Sequence, residues 1–197
     1  AYGSMAVFLN QYEDLQVSSF TENNGAFAAI FTNAAEAEIS GFELEGGWRA
    51  TDQLRFDVAL GYLDANYEEF IGESGQDVSN TLTPANAPQW TGRLGTEYRQ
   101  HITNDIELIG AMSAAYRDDV YPTVSSSEVL RQDAYTLLDA SLGLEFHDGR
   151  YALRLVGKNL TDETYRTQGF DLSDSLGYQL GYYGAPRTIS LTASLKY

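Results

Sequence analysis

Glu43 and Glu45 are two carboxylates two residues apart, a spacing at which a pair could divide acid–base work. On a strand, residues i and i+2 point to one face. The two therefore stand side by side on a wall, and a structural role is the reading this spacing favours. The stretch Glu68-Glu69-Phe70-Ile71-Gly72-Glu73-Ser74-Gly75-Gln76-Asp77 holds four carboxylates and two glycines, an oxygen-rich set of the kind Ca²⁺ takes. Its spacing is not that of an EF-hand, so a solvated acidic loop is expected, and Asp171, Ser173 and Asp174 read the same way. His101 and His147 have no second His or Cys beside them, which argues against zinc. No serine sits in a Gly-x-Ser-x-Gly elbow. The sequence predicts no catalytic residue, no metal ligand and no cofactor.

The basic residues offer more. Arg154 and Lys158, with Arg150 just before them, fall on one side of an alternating segment. Such a patch could hold an anionic substrate or a neighbouring domain. The stronger expectation is cross-strand pairing with Asp139, Glu145 and the neighbours of Lys196. Tyr178, Tyr182 and Tyr183 lie in a long loop. They could stack on a sugar or an aromatic ligand, or pack the loop onto whatever lies beneath it.

These side chains belong to a chain of 197 residues with 12 basic and 28 acidic side chains, a formal net charge of −16 and no cysteine. Disulfides and thiolate metal sites are excluded, and the acidity argues against a nucleic-acid partner. No apolar run is long enough for a transmembrane helix. Mean hydropathy is −0.31, which suggests a soluble protein until it is noticed that a membrane β-barrel has the same low average.

The elements that position these residues are strands. Fourteen Tyr, 18 Gly and many Thr and Val suit strands better than helices. From Pro186 to Tyr197 the alternation is unbroken: Ile189, Leu191, Ala193, Leu195 and Tyr197 lie on one face, and Thr188, Ser190, Thr192, Ser194 and Lys196 on the other. The same test gives six further segments, over 42–49, 54–62, 90–99, 106–117, 138–146 and 150–158. In these seven segments the apolar face carries no charge and the other carries about 16. Glu43, Glu45, Arg93, Glu97, Glu107, Asp139, Glu145, Arg154 and Lys158 all fall on the charged side. A first strand, roughly Gly3 to Phe20, is less regular because Phe8 and Tyr12 compete with Met5, Val7 and Leu9.

Eight antiparallel strands are thus expected, and the apolar face touches either a soluble core or lipid. Three features favour lipid. Tight turns near 50–53, 100–104 and 147–149 alternate with long segments over 68–87, 118–133 and 161–185, as in outer-membrane barrels. Segments of 10 to 14 residues suffice to cross a hydrocarbon layer when tilted. Aromatics, among them Trp48, Tyr62, Trp90, Tyr98, Tyr116, Phe146 and Tyr151, gather at strand ends, where membrane interfaces place them. No charged leader precedes the first strand, so the chain is expected to be processed or to be a piece of something longer, the latter favoured because the strand pattern begins at once.

The stretch Gly157-Lys158-Asn159-Leu160-Thr161-Asp162-Glu163-Thr164-Tyr165 resembles the "NLTDE-x-Y" segment near the end of TonB-dependent outer-membrane receptors. Gly181-Tyr182-Tyr183-Gly184-Ala185-Pro186-Arg187-Thr188 and the strand after it are similar to their last loop and last strand. Asn33–Ala37 with Gly41–Glu45 resembles a descending strand of that family, and Leu60–Ala65 the ascending strand that follows. The resemblance implies an all-β, antiparallel up-and-down transmembrane barrel of about 22 strands, of which residues 1–197 would supply about the last eight. It also implies a plug domain and a TonB box outside this sequence, and partners to match: lipid, the plug, the remaining strands, the energy-transducing TonB complex and the outer-membrane assembly machinery. Tyr197 would be the terminal aromatic which that machinery recognises. The nutrient would be a siderophore complex, cobalamin or an oligosaccharide. A small eight-stranded passive barrel and a soluble ligand-binding barrel are the alternatives.

Overall fold

A computed structural model describes residues 1–23, 26–72, 75–147 and 149–196, with the backbone alone for 17–23, 26–34, 174 and 175. Tyr197 and Glu73 lie outside the described residues, as does the side chain of Asp174. The strands are β1 (Tyr2–Asn23), β2 (Ala26–Arg49), β3 (Leu54–Phe70), β4 (Trp90–Thr103), β5 (Ile106–Arg117), β6 (Tyr135–Phe146), β7 (Tyr151–Lys158), β8 (Arg166–Leu172), β9 (Tyr178–Tyr183) and β10 (Thr188–Leu195), with one helical turn, α1 (Ser173–Leu176), between β8 and β9.

Eight strands form one antiparallel sheet in the order β1-β2-β3-β4-β5-β6-β7-β10, and β8 and β9 form a separate hairpin. Among the described residues β1 pairs with β2 alone and β10 with β7 alone, so the sheet is an open arc with two edges. Lipid penalises unpaired backbone polar groups by several kcal/mol each. These edges therefore call for further strands, as a wall segment of a larger barrel requires, and do not fit a small closed barrel.

The wall is taller than the alternation predicts. β2 starts at Ala26 and β3 continues to Phe70, well past the expected ends. β4 runs to Thr103, so that turn shrinks to Asn104-Asp105. Beyond the apolar band the alternation inverts: Ala37 and Tyr67 fall on the face of Glu43 and Glu45, with Ala35 and Ala37 buried, while Glu38, Asp64 and Asn66 take the other face. The loop predicted over 161–185 contains the β8–β9 hairpin.

The irregular first strand has a local cause. Tyr2 and Phe8 are on the same face as Glu43 and Glu45, where each ring occupies the space above a glycine. A Cβ on Gly47 would meet the Tyr2 ring at 2.2 Å, and one on Gly41 would come within 2.9 Å of Phe8. Past Tyr12 the register shifts, with Asp14 at φ 54°. This bulge changes the parity of the strand.

Candidate functional site

The cross-strand register settles the two faces. Glu43 pairs with Gly61, Gly61 with Thr91, and the ladder continues through Arg117, Tyr135 and the remaining strands. Followed across, it puts all nine charged candidates (Glu43, Glu45, Arg93, Glu97, Glu107, Asp139, Glu145, Arg154 and Lys158) on one face. On the other face Leu94, Met112, Leu142, Leu155, Ile189 and Leu191 are each about half exposed or more. Aromatic clusters bound this apolar band. At the long-loop end, Tyr62 packs between Phe42 (5.7 Å) and Trp90 (4.8 Å). At the short-turn end Trp48 stacks on Phe56 at 5.9 Å, and Tyr98, Phe146 and Tyr151 lie at the same end of their own strands. From Trp90 to Tyr98 the strand advances about 26 Å at about 3.3 Å per residue; at a tilt of about 40° that is about 20 Å of height, most of the apolar band of an outer-membrane barrel.

On the charged face Arg55 pairs with Asp57 at 2.7 Å, and Arg99 with Glu97 at 2.8 Å and Glu107 at 3.6 Å. Among the described residues the pairing expected for Arg154 and Lys158 is not found. Asp139 instead accepts the backbone N–H of Asn159 at 2.9 Å. Among the described residues Arg93, Arg154 and Lys158 have no ion-pair partner. Arg93 and Lys158 share a groove of about 240 Å³ with Asp57, Glu97 and Asp139.

Above the wall, the three long connections lock into a cap. The backbone N–H of Asn86 donates to Tyr121 O at 2.8 Å, and that of Thr83 to Ser126 Oγ at 3.0 Å. Ser125 Oγ donates to Asp171 Oδ2 at 2.8 Å, and Gln179 Nε2 to Ser127 Oγ at 2.9 Å. Gln132 Oε1 accepts the Arg166 N–H at 2.6 Å. Leu130, Val120 and Leu172 are buried there. Arg131 pairs with Asp119 at 3.0 Å, which raises the guanidinium pKa, and the hydroxyl of Tyr121, donating to Glu128, is likewise raised.

The cap also uses the carboxylates that suggested a cation. Asp77 Oδ1 accepts the N–H groups of Ser79 (2.9 Å) and Phe70 (3.0 Å), which hold its pKa below the ordinary value. Burial works upward on Asp171, but hydrogen bonds from Ser173, Gln179 and Ser125 outweigh it and lower its pKa. Both carboxylates fasten loops.

Tyr178, Tyr182 and Tyr183 lie on β9 and are 46%, 51% and 60% exposed. The rings of Tyr182 and Phe170 meet edge to face at 5.9 Å, and Arg166 lies over Tyr183. The sequence reading missed Gln132, Leu130 and the hairpin beneath them. No local pattern marks these residues, because their partners come from other loops.

Residues 1–160 match the family model described as "TonB dependent receptor-like, beta-barrel". The chain belongs to that family. Solved structures agree in fold. The ferric yersiniabactin uptake receptor FyuA from Yersinia pestis is 20% identical, with a TM-score of 0.75 over 99% of this chain and 27% of its own. The siderophore receptor PiuA from Acinetobacter baumannii is 21% identical, with a TM-score of 0.67 over 99% of this chain and 26% of its own. The copper transporter OprC is 14% identical, with a TM-score of 0.72 over 99% and 28%. The chain thus spans about a quarter of the length of these relatives. As a TonB-dependent receptor barrel segment it is an outer-membrane element of a non-enzymatic transporter family. The apolar face between its aromatic girdles has the composition of a lipid-facing band in such a barrel.

Proposed function

We propose that residues 1–197 are the C-terminal part of the barrel wall of a receptor that imports a scarce nutrient by TonB-energised uptake. In this reading the nine charged residues line the lumen, and Arg93, Arg154 and Lys158 wait there for groups from outside the segment, either the plug or an anionic cargo. The observation that carries the reading is a wall with unpaired cations on one face and lipid-compatible side chains on the other. The energy-transducing complex would act through the N-terminal part of the parent protein.

The cargo we favour is an organic complex: a siderophore, cobalamin or an oligosaccharide. Soft metal ions are held by Met, Cys and His. Here Met5 and Met112 are on the apolar face, 66% and 62% exposed, and His101 and His147 are at the short-turn end. The groups this segment offers a cargo are carboxylates, guanidinium groups, hydroxyls and the rings of Tyr178, Tyr182 and Tyr183.

Uptake of labelled ferric siderophores, cobalamin and oligosaccharides by cells expressing the parent receptor, with and without a working TonB, tests this. Accumulation of one of them that vanishes without TonB is the expected result. A parent protein that passes small sugars through liposomes by diffusion is a passive pore, and the proposal fails. For Tyr197, deletion in the parent receptor is expected to reduce membrane insertion. Unchanged heat-modifiable migration on a gel would remove its role as an assembly signal.

A further inference from the structure

The last strand lacks the usual means of fixing its register. β10 reads Thr-Ile-Ser-Leu-Thr-Ala-Ser-Leu, so one face is hydroxyl at every position and the other is aliphatic at every position. A one-residue slip would expose the wrong face. A two-residue slip exchanges like for like and is barely opposed by the side chains. Hairpins fix register through a tight turn, but β7 and β10 are joined by the long connection 159–187, which carries its own hairpin.

A knot at the mouth of that connection takes the place of the turn. Asn159 is 5% exposed and left-handed at φ 49°. Its N–H donates to Asp139 on β6, its Oδ1 accepts the N–H of Glu163 at 2.8 Å, and its Nδ2 donates to Glu163 O at 2.8 Å and Ala185 O at 3.1 Å. Asp162, at φ 58°, accepts the N–H of Arg187 at 2.9 Å and faces its guanidinium at 3.6 Å. The Tyr165 ring fills the space above Gly184 and stacks on Tyr135 at 4.7 Å. The bonds to Ala185 and Arg187 hold the chain immediately before Thr188, which pairs with Lys158. We infer that Asn159 and Asp162 are positioning residues that set the register of β10, the work a hairpin turn does elsewhere in the wall.

Cysteine trapping in the full-length parent receptor, stripped of any other cysteines, tests this directly. In the native register Val156 faces Ser190. A two-residue slip brings Thr188 or Thr192 opposite Val156. Diagonal neighbours sit about 7–8 Å apart, beyond ordinary disulfide reach. With Asn159 and Asp162 intact, Val156→Cys/Ser190→Cys is expected to cross-link, and Val156→Cys/Thr188→Cys and Val156→Cys/Thr192→Cys to do so at least tenfold less.

Asn159→Gly keeps the left-handed backbone free of strain and removes the amide bonds. Asp162→Gly likewise keeps its left-handed backbone free of strain and releases Arg187. In either background, the yield of a slipped pair is expected to rise at least tenfold in the heat-modifiable, membrane-inserted fraction. Inserted protein of both variants that cross-links only at the native pair overturns the inference. Should Asn159→Gly not insert, Asp162→Gly alone decides by the same two outcomes. A purely stabilising role would lower the melting temperature and leave the cross-linking pattern where it was.

Discussion

Leu142 in the wall is 53% exposed, and Leu130 in the cap is 3% exposed. The two leucines mark two ways in which one chain satisfies apolar side chains. The wall turns Leu94, Met112, Leu142 and Leu155 outward and relies on lipid to cover them, while its backbone is satisfied by the ladder. The cap has water outside, so it must make its own interior. It does so with Val120, Leu130 and Leu172, closed by hydrogen bonds between three connections distant in sequence. Wall stability is thus a property of protein plus bilayer, and cap stability a property of side-chain packing between loops.

The largest expected effect breaks this contrast at adjacent positions. Leu142→Arg puts a charge in the middle of the lipid band and is expected to cost about 2–4 kcal/mol. Ser141→Arg, one residue away on the charged face beside the groove of Arg93 and Lys158, is expected to cost under about 1 kcal/mol. Urea titration of the parent receptor in vesicles measures both. Equal costs would mean that the outward face is not in lipid.

The next effect belongs to the cap. Leu130→Ala is expected to remove about 2–4 kcal/mol of local packing and to open 118–134 to proteolysis and amide exchange, with the wall's heat-modifiable migration unchanged. If the wall melts along with the cap, the two are one cooperative unit and the distinction fails.

How legible each region was in the sequence follows from the same contrast. The wall's register is written in the period of two, because lipid on one side and water on the other impose a different chemistry on each face. The turns at 50–53 and 147–149 and all nine charged-face residues could be read from that pattern alone. Where the imposition stops, the reading stops: at the tall ends of β2 and β3 the polarity inverts, with Ala35 and Ala37 buried and Glu38, Asp64 and Asn66 on the side that is apolar below, and the β8–β9 hairpin is packed against 118–134 by Gly169, whose missing Cβ leaves room for Pro122 and Leu130. Such contacts leave no periodic mark. The Asn159 motif was recognisable by resemblance, yet its part in holding Ala185 and Arg187 required coordinates. The same is true of Asp139, assigned to a cation by spacing and taken by a backbone N–H.

A smaller effect sharpens the cap itself. Gln132 is 8% exposed and joins the loop to β8 by accepting the Arg166 N–H. Gln132→Ala leaves that donor without its partner and is expected to cost about 1–3 kcal/mol, read as faster exchange across β8 and β9. Gln132→Glu keeps the acceptor oxygen and is expected to restore most of the protection. Glu matches Gln in volume, so failure of that rescue would assign the effect to the amide nitrogen, which donates to Asp133 O at 2.8 Å.

The smallest effect is titration of the loop carboxylates. Asp77 has its folded-state pKa lowered by the N–H groups of Ser79 and Phe70, so the ionised form favours the folded loop. The contribution is fully present above the unfolded value of about 3.9. It is lost as pH falls through the still lower folded value. Asp171, lowered in the same direction by its hydroxyl and amide donors, adds to the loss where it ties 118–134 to the hairpin. At pH values below about 4, amide exchange at Phe70 and Ser79, corrected for intrinsic rate, is expected to accelerate before exchange in β5 and β6 does. In Asp77→Asn the amide oxygen still accepts a hydrogen bond but does not titrate, so protection there should be weaker at neutral pH and nearly flat on acidification. Acid loosening as steep in Asp77→Asn as in the unmodified chain would take the switch away from Asp77 and leave Asp171 as the carboxylate that couples the cap to pH.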